Sequence, residues 1–309
     1  MKSVSTHKSP AVKAIVLLVC LAASNCALAL TTLHVTLNTD NNPGGIGEAG
    51  DLRYALNSMN QGLNTVPDDY AIVFDSPMTI QLNGILPIIN NSVNPVNIAI
   101  GNPGSTPTVT IDGNSGAYRG FFIPTGNVTI QNVNFQNMTA KGGNGGDGIS
   151  GGGGGMGAGA AIYAPQSFLN GSNPSVTLIN VSINNSSAVG GNGGSYFSLA
   201  ATGNEGGGGG GGFGGDGGSI ATTGITGGGG GGGFGGNGGN VTLSADDPVG
   251  GGGGGGGLGS RASIGTLTNL GDGGSDQNAG LDGNAYGLAI TAGSGGGGYG
   301  GGSNAGGGG

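Results

Sequence analysis

Asp75, Asp112 and Arg119 are the residues from which a catalytic centre would have to be assembled in this chain. Paired carboxylates at a fixed separation cleave glycosidic bonds, one as acid and the other as base or nucleophile. Eliminative cleavage of an acidic glycan needs calcium-ligating acids beside a basic residue that takes the proton. The carboxylates on offer are Asp68-Asp69, Asp75, Asp112 and Asp246-Asp247. Asp112 stands in Ile111-Asp112-Gly113, where an aspartate most simply starts a turn. Arg119, seven positions on, is the only basic residue near it, and no second acid shares its frame. No catalytic residue is assigned on this basis, and the chain reads as non-enzymatic.

Metal and nucleotide chemistry fare no better. Gly142-Gly-Asn-Gly-Gly-Asp147-Gly-Ile149-Ser150 fits the calcium-binding nonapeptide pattern. Calcium in that setting takes its oxygen ligands from consecutive nonapeptides. The nearest relative here ends at Asp216, and a third frame carries Asn237 in place of the carboxylate. The glycine runs lack the strand–glycine–helix context of a phosphate or dinucleotide loop. No metal and no cofactor is expected. Asn-x-Ser/Thr sequons at Asn90, Asn127, Asn137, Asn170, Asn180, Asn184, Asn185 and Asn240 fall largely within strand-like segments, where a structural role for asparagine accounts for them.

The first 29 residues read as an export signal. Lys2, Lys8 and Lys13 precede an apolar stretch from Ala14 to Ala23, and Ala27-Leu28-Ala29 offers a cleavage site. Both cysteines, Cys20 and Cys26, lie within it, so the processed chain has no disulfide and no thiolate ligand. Loss of those three lysines leaves four of seven basic residues against 15 acidic ones, a net charge near −11, with His34 the sole histidine. A chain so poor in cations is not built for nucleic acid or anionic lipid. Its expected setting is the cell surface, the outer membrane or the extracellular space.

The elements that would hold any site are short strands. Ala71–Phe74, Thr79–Leu82, Val96–Ile100, Thr108–Asp112 and Phe121–Ile123 are β-branched or aromatic runs separated by Asn-Gly, Asn-Pro, Pro-Gly and Asp-Gly pairs. Residues 128–148 and 176–196 are two copies of one unit, VTIQNVNFQNMTAKGGNGGDG and VTLINVSINNSSAVGGNGGSY, offset by 48 positions. Such a unit cannot bury its apolar face alone and must stack on its neighbours. Strands at this spacing also suit an antiparallel sandwich. The matched Asn132 and Asn180 favour stacked parallel strands, where asparagines form hydrogen-bonded ladders at the turns. The expected fold is therefore all-β, a right-handed parallel β-helix (solenoid) with long glycine-rich loops. A short capping helix opens it, with Asp51 as N-cap and Leu52, Ala55, Leu56 and Met59 on one stripe.

Only 12 of 81 glycines precede Lys141. Runs 206–212, 227–233 and 250–257 each end at one large apolar residue, Phe213, Phe234 and Leu258. Ordering a glycine costs more backbone entropy than ordering any other residue. Two arrangements follow, mobile loops pinned by single apolar anchors or extended segments packed together, and the entropy favours the loops. The expected organisation is a signal peptide at 1–29, an N-terminal cap region at 30–70, a β-helix core at 71–200 and a glycine-rich region with scattered strands at 201–309.

Three stretches give the chain a relative. Gly50–Asn57 carries an LR-x-A helix followed by Ile72-Val73-Phe74, Thr110–Gly113 ends a strand, and Gly157–Tyr163 follows a strand like Val133-Asn134-Phe135. In these the chain resembles the bacterial polymorphic outer-membrane protein and autotransporter-passenger group over roughly residues 31–200. It departs at Met138, Ile183 and Ser186, where the F-x-x-N element of the group is broken. A C-terminal translocator barrel is not expected, since residues 201–309 show no alternating strands. The resemblance implies a right-handed β-helix presented at the surface, adhesin-like, with a host or matrix ligand or glycan as partner. The same LR-x-A and I-D-G series occurs in pectate-lyase-like proteins, which keeps a carbohydrate-active enzyme as the alternative. A glycine-rich structural matrix component is the third reading.

Overall fold

Apolar–polar alternation is realised as strands whose buried sides line up from one pass of the chain to the next. The computed structural model describes residues 30–63, 68–89, 96–104, 109–148, 150–165, 173–196, 208, 210–219, 232 and 237–238, and the backbone of four short later strands. The export signal, Asp246-Asp247 and the 250–257 run lie outside the described residues.

One sheet has five strands. β1 (Leu30–Val35), β2 (Asp69–Phe74), β4 (Asn97–Ile100), β7 (Asn127–Gln131) and β11 (Ser175–Ile179) follow one another in space in that order. A second sheet runs through β3 (Met78–Gln81), β5 (Val109–Asp112), β8 (Val133–Gln136) and β12 (Ser182–Asn184). β9 (Thr139–Lys141) pairs with β13 (Ser187–Val189), and β6 (Phe121–Phe122) with β10 (Ile162–Tyr163). All of these pairings are parallel. The 48-residue offset of the repeat is the register itself, with Val176 on Val128, Ile183 on Phe135 and Ala188 on Ala140.

This register builds the core in columns. Ile72, Ile100 and Ile130 stack in the first sheet, and Ile80, Ile111 and Phe135 in the second, all buried. Phe121 closes on Phe135 edge to face, ring centres 5.5 Å apart. Between the columns the chain turns on asparagine. Asn132 and Asn137 flank β8 and Asn180 and Asn185 flank β12, all at φ between 47° and 55°, a conformation asparagine tolerates better than most residues. Asn180 Nδ2 also donates to Asn132 Oδ1 at 2.7 Å, and Asn132 Nδ2 to the Asn102 carbonyl at 2.6 Å. The ladder and the left-handed turn are thus one device. At the matching corner after β4 stands Gly101, φ 104°, where a Cβ would lie 1.9 Å from the Gln131 carbonyl oxygen.

The helix α1 spans Leu52–Leu63, four residues past Met59. Asp51 caps it as expected, its Oδ1 accepting from Tyr54 N at 2.6 Å. Asn60 and Gly62 are weak helix formers, so the last turn owes its form to packing. Leu63 is buried, and Asn60 Nδ2 donates to the Ile88 carbonyl at 2.7 Å. Gly62 is where the Tyr70 hydroxyl lies, 2.1 Å from any added Cβ. Arg53 holds the helix to the sheets. Its Nε and Nη2 donate to Asp40 at 2.6 and 2.9 Å, and Nη1 to the Ile85 carbonyl at 2.6 Å, with both side chains at most 2 % exposed.

Where it is described, the glycine-rich part of the chain differs from the favoured expectation. Among the described residues, segments 142–148, 150–157, 190–195, 208 with 210–212, and 214–219 lie side by side and bond to one another. The amides of Gly142, Gly145 and Gly148 donate to Val189, Asn192 and Ser195, while those of Gly191 and Gly194 donate to Gly155 and Gly152. Bonds to one neighbour recur every third residue, the period of an extended three-fold helix. The closeness of the segments explains the composition. A Cβ on Gly143, Gly145, Gly155 or Gly191 would stand 1.7 to 1.9 Å from a carbonyl oxygen of the adjoining segment. At Gly153 nothing lies within 4 Å, and at Gly193 the nearest atom is 3.6 Å away. Inter-segment hydrogen bonds, rather than side-chain burial, offset the entropy of ordering.

Two measurements check these packing arguments. Gly143→Ala is expected to cost the glycine segments about 3 kcal/mol, a roughly hundredfold loss of amide exchange protection over 142–157, while Gly193→Ala stays within ~0.5 kcal/mol of the parent. Mobile loops would leave both variants silent. Asp40→Ala leaves the Arg53 charge buried without its carboxylate and is expected to lower unfolding free energy by about 3–5 kcal/mol in urea titrations.

Candidate functional site

Outward-facing positions of the second sheet form two polar columns. Thr79, Thr110, Asn134 and Ser182 stand in register across β3, β5, β8 and β12. Neighbouring strands are ~4.8 Å apart, so hydroxyl and amide groups recur at that spacing. Ser182 Oγ donates to Asn134 Oδ1 at 2.5 Å. Beside this column an open groove of about 610 Å³ is lined by Thr36, Asn38, Ser76, Met78, Thr79, Thr110 and Asn134, with Pro77 at its wall. The lining carries no charge. At its margin in the chain, two residues before Thr36 and one before Ser76, His34 Nδ1 and Asp75 Oδ1 meet at 2.6 Å on exposed surface.

The second column is Gln81, Asp112, Gln136 and Asn184. Here the candidate Asp112 is fully engaged. Oδ2 accepts from Gln136 Nε2 at 2.6 Å and Asn137 Nδ2 at 3.1 Å, and Oδ1 accepts from Asn114 N at 2.8 Å. The last of these is the turn-starting role. Asp68 accepts from the Thr31 hydroxyl at 3.1 Å and Asp69 from Asn97 N at 2.8 Å, each tying one strand to the next.

Arg119 has different company from Asp112. It is buried, with its guanidinium 3.7 Å from the centre of the Phe213 ring. Phe213 stacks at 4.7 Å on Tyr163 and at 5.9 Å on Phe122. Burial lowers the Arg119 guanidinium pKa from its ordinary range to about 10, with Tyr163 opposing the shift. The group is still a cation at neutral pH, and a ring face is a favourable place to bury one. Asp75, Asp112 and Arg119 are therefore held in three separate sets of contacts, on His34, on the Gln136–Asn137 amides and under Phe213.

Sequence reasoning missed the use made of the nonapeptide frame. Asn144 Oδ1 accepts from Asn192 N at 3.0 Å, Asp216 Oδ1 from Asn144 N at 2.6 Å, and Asn237 Oδ1 from Asp216 N at 2.9 Å. One short side-chain oxygen per glycine segment caps an amide of the next. Amide and carboxylate oxygens serve equally, which is why Asn237 can stand in the frame that holds Asp216. Asp147 does the same for Ser195 N at 2.6 Å. Among the described residues no three His, Cys, Asp or Glu side chains are grouped to hold a metal ion. The signal was the recurrence of Asn or Asp at offsets of 48, 72 and 21 residues.

A scan against protein-family models, a search of curated proteins and a search of solved structures each give no match to this chain.

Phe213 is the aromatic link between the glycine segments and the strands. Phe213→Ala is expected to cost about 3–4 kcal/mol and to open residues 210–219 to limited proteolysis. Cleavage within β2–β9 should not increase. An unchanged digest would show that Phe213 holds nothing in place.

Proposed function

We propose that this chain is an exported, non-enzymatic surface protein, a right-handed parallel β-helix of the autotransporter-passenger type that binds through its outer face. The observation that carries the proposal is the pair of in-register polar columns beside an uncharged open groove. A ligand laid along such columns meets the same hydroxyl and amide chemistry at every strand. Many weak contacts of that kind add up by avidity rather than through one hot spot. The asparagine corners and the parallel register support the β-helix assignment. The three separate settings of Asp75, Asp112 and Arg119 weigh against the pectate-lyase-like alternative, which requires them in one place. The ordered glycine segments weigh against a matrix component without a core. An extended polar glycan or a glycosylated host or matrix protein is the partner class that suits an uncharged hydroxyl–amide face.

The test has two arms. An antibody raised against residues 100–140 should find the protein outside the cytoplasm, with an N-terminus at Leu30. The purified chain should release no unsaturated product from polygalacturonate with calcium at any pH from mildly acid to alkaline, yet retain cells or matrix glycoprotein on a coated surface. Thr110→Arg with Asn134→Arg, both at half-buried outer positions, should reduce that retention at least tenfold without altering the far-ultraviolet spectrum. Unsaturated products would transfer the protein to the enzyme reading.

A further inference from the structure

β11 and β12 form an edge that does not look like a terminus. In the preceding pass Ile130 and Phe135 are both 0 % exposed. Their register partners Leu178 and Ile183 are 48 % and 50 % exposed. An inward-facing apolar column left in water at its last member is an unfinished stack, since a parallel strand normally bonds on both edges.

The chain carries a segment with the frame of the missing strand. Reading down the first sheet, the frames are Asn97-Ile98-Ala99-Ile100, Asn127-Val128-Thr129-Ile130 and Ser175-Val176-Thr177-Leu178, each aligned on the one before. Asn240-Val241-Thr242-Leu243 repeats the same order of small polar, β-branched, small and aliphatic residues. Its middle is already a strand. β14 (Val241–Thr242) pairs in parallel with β17 (Gly283–Asn284) as a two-stranded sheet. A pair this short has no independent stability in water. It needs a sheet to join, and β11 needs a strand to cover it. The itinerary agrees too. After β9 the chain enters glycine segments at Gly142 and returns as β11, and after β13 it enters them again at Gly190 before reaching Asn240.

We infer that the open edge of β11 is the docking surface for residues 240–243 of the same chain, giving a sheet that continues β7, β11, β14, β17. Val241 then covers Val176, Leu243 covers Leu178, and Asn240 extends the column of Asn97, Asn127 and Ser175. The polar outer face lengthens by the two added strands. The inference rests on the stacked-strand part of the function proposed above, and is independent of its adhesive part.

Cysteine pairing tests it directly. In the full chain carrying Cys20→Ser and Cys26→Ser, no native thiol remains. Thr177→Cys with Thr242→Cys places one thiol on each of the two strands, which would be ~4.8 Å apart, within disulfide reach. The expected result on mild oxidation is a monomer of increased mobility on a non-reducing gel, reverting with reductant. Thr129→Cys with Thr177→Cys is the reference pair, because Thr177 lies directly on Thr129. If the reference pair closes and the 177–242 pair does not, the inference falls while the stacked strands stand. If neither closes, both fall. A disulfide-linked dimer from the 177–242 chain overturns it in favour of a second copy seated on β11.

Discussion

Parallel pairing between successive passes is the constraint from which this structure follows. In such pairing the amide and carbonyl groups of a strand point along the stack, so no pass satisfies its own backbone. Each must find the next at ~4.8 Å. That single distance forces equivalent residues on top of one another, and it explains why columns of like side chains appear: isoleucine and phenylalanine inside, threonine, asparagine and glutamine outside. It also restricts the corners. Where consecutive strands of one pass change direction, the backbone must turn within about one residue and still stay under the next pass. Asn132 and Asn180 do this with a left-handed conformation and a side chain that bonds up the stack. Gly101 does it where the neighbouring backbone leaves no room for a Cβ at all.

The glycine segments solve the same problem by other means. With no side chains to bury, they gain order by bringing backbones together until a Cβ would overlap a carbonyl oxygen. Every third amide then reaches the same neighbour, and successive amides reach different ones. A segment so placed can have neighbours on several sides, as Gly142 to Gly148 do with 150–157, 190–195, 210–212 and 214–219. The arrangement cannot stand apart from the strands. It begins where β9 and β13 end, at Gly142 on Val189, and it is fastened again by Phe213 over Arg119. A buried cation serves as the anchor for a ring that the composition alone would have left unexplained.

The strands were legible because alternation and turn pairs are local signals. The runs expected near 71–74, 79–82, 96–100 and 108–112 correspond to β2, β3, β4 and β5 with boundaries shifted by one or two residues. The repeat offset gave the register of three strand pairs at once. β1 was missed because Leu30, Leu33 and Val35 alternate imperfectly, and its strand form depends on β2 beside it. The last turn of α1 was missed for a similar reason, since Leu63 is held by the core and not by helix propensity. The glycine packing was hidden more deeply. Entropy argued for loops, and only the three-residue spacing of tolerated positions, Asn144 and Asp147 or Gly190 and Gly193, pointed the other way. Partners 48 and 72 residues distant cannot be read from a local window.

The same geometry accounts for what the acidic residues do. In a chain with few cations, few carboxylates find a basic partner: among the described residues Asp40 pairs with Arg53 in the interior and Asp75 meets His34 on the surface. Elsewhere the acids accept hydrogen bonds from amides and hydroxyls of the adjacent pass: Asp68 from Thr31, Asp69 from Asn97, Asp112 from Gln136 and Asn137, Asp216 from Asn144. Each such bond joins residues at least 24 apart and so holds two passes in register. A hydrogen bond to an aspartate used in this way is charge-assisted and strong, and it fixes the side chain between two passes. Asparagine can replace it, as Asn237 does beside Asp216. A scaffold that spends its carboxylates on register leaves hydroxyls and amides as the side chains that recur along its outer columns.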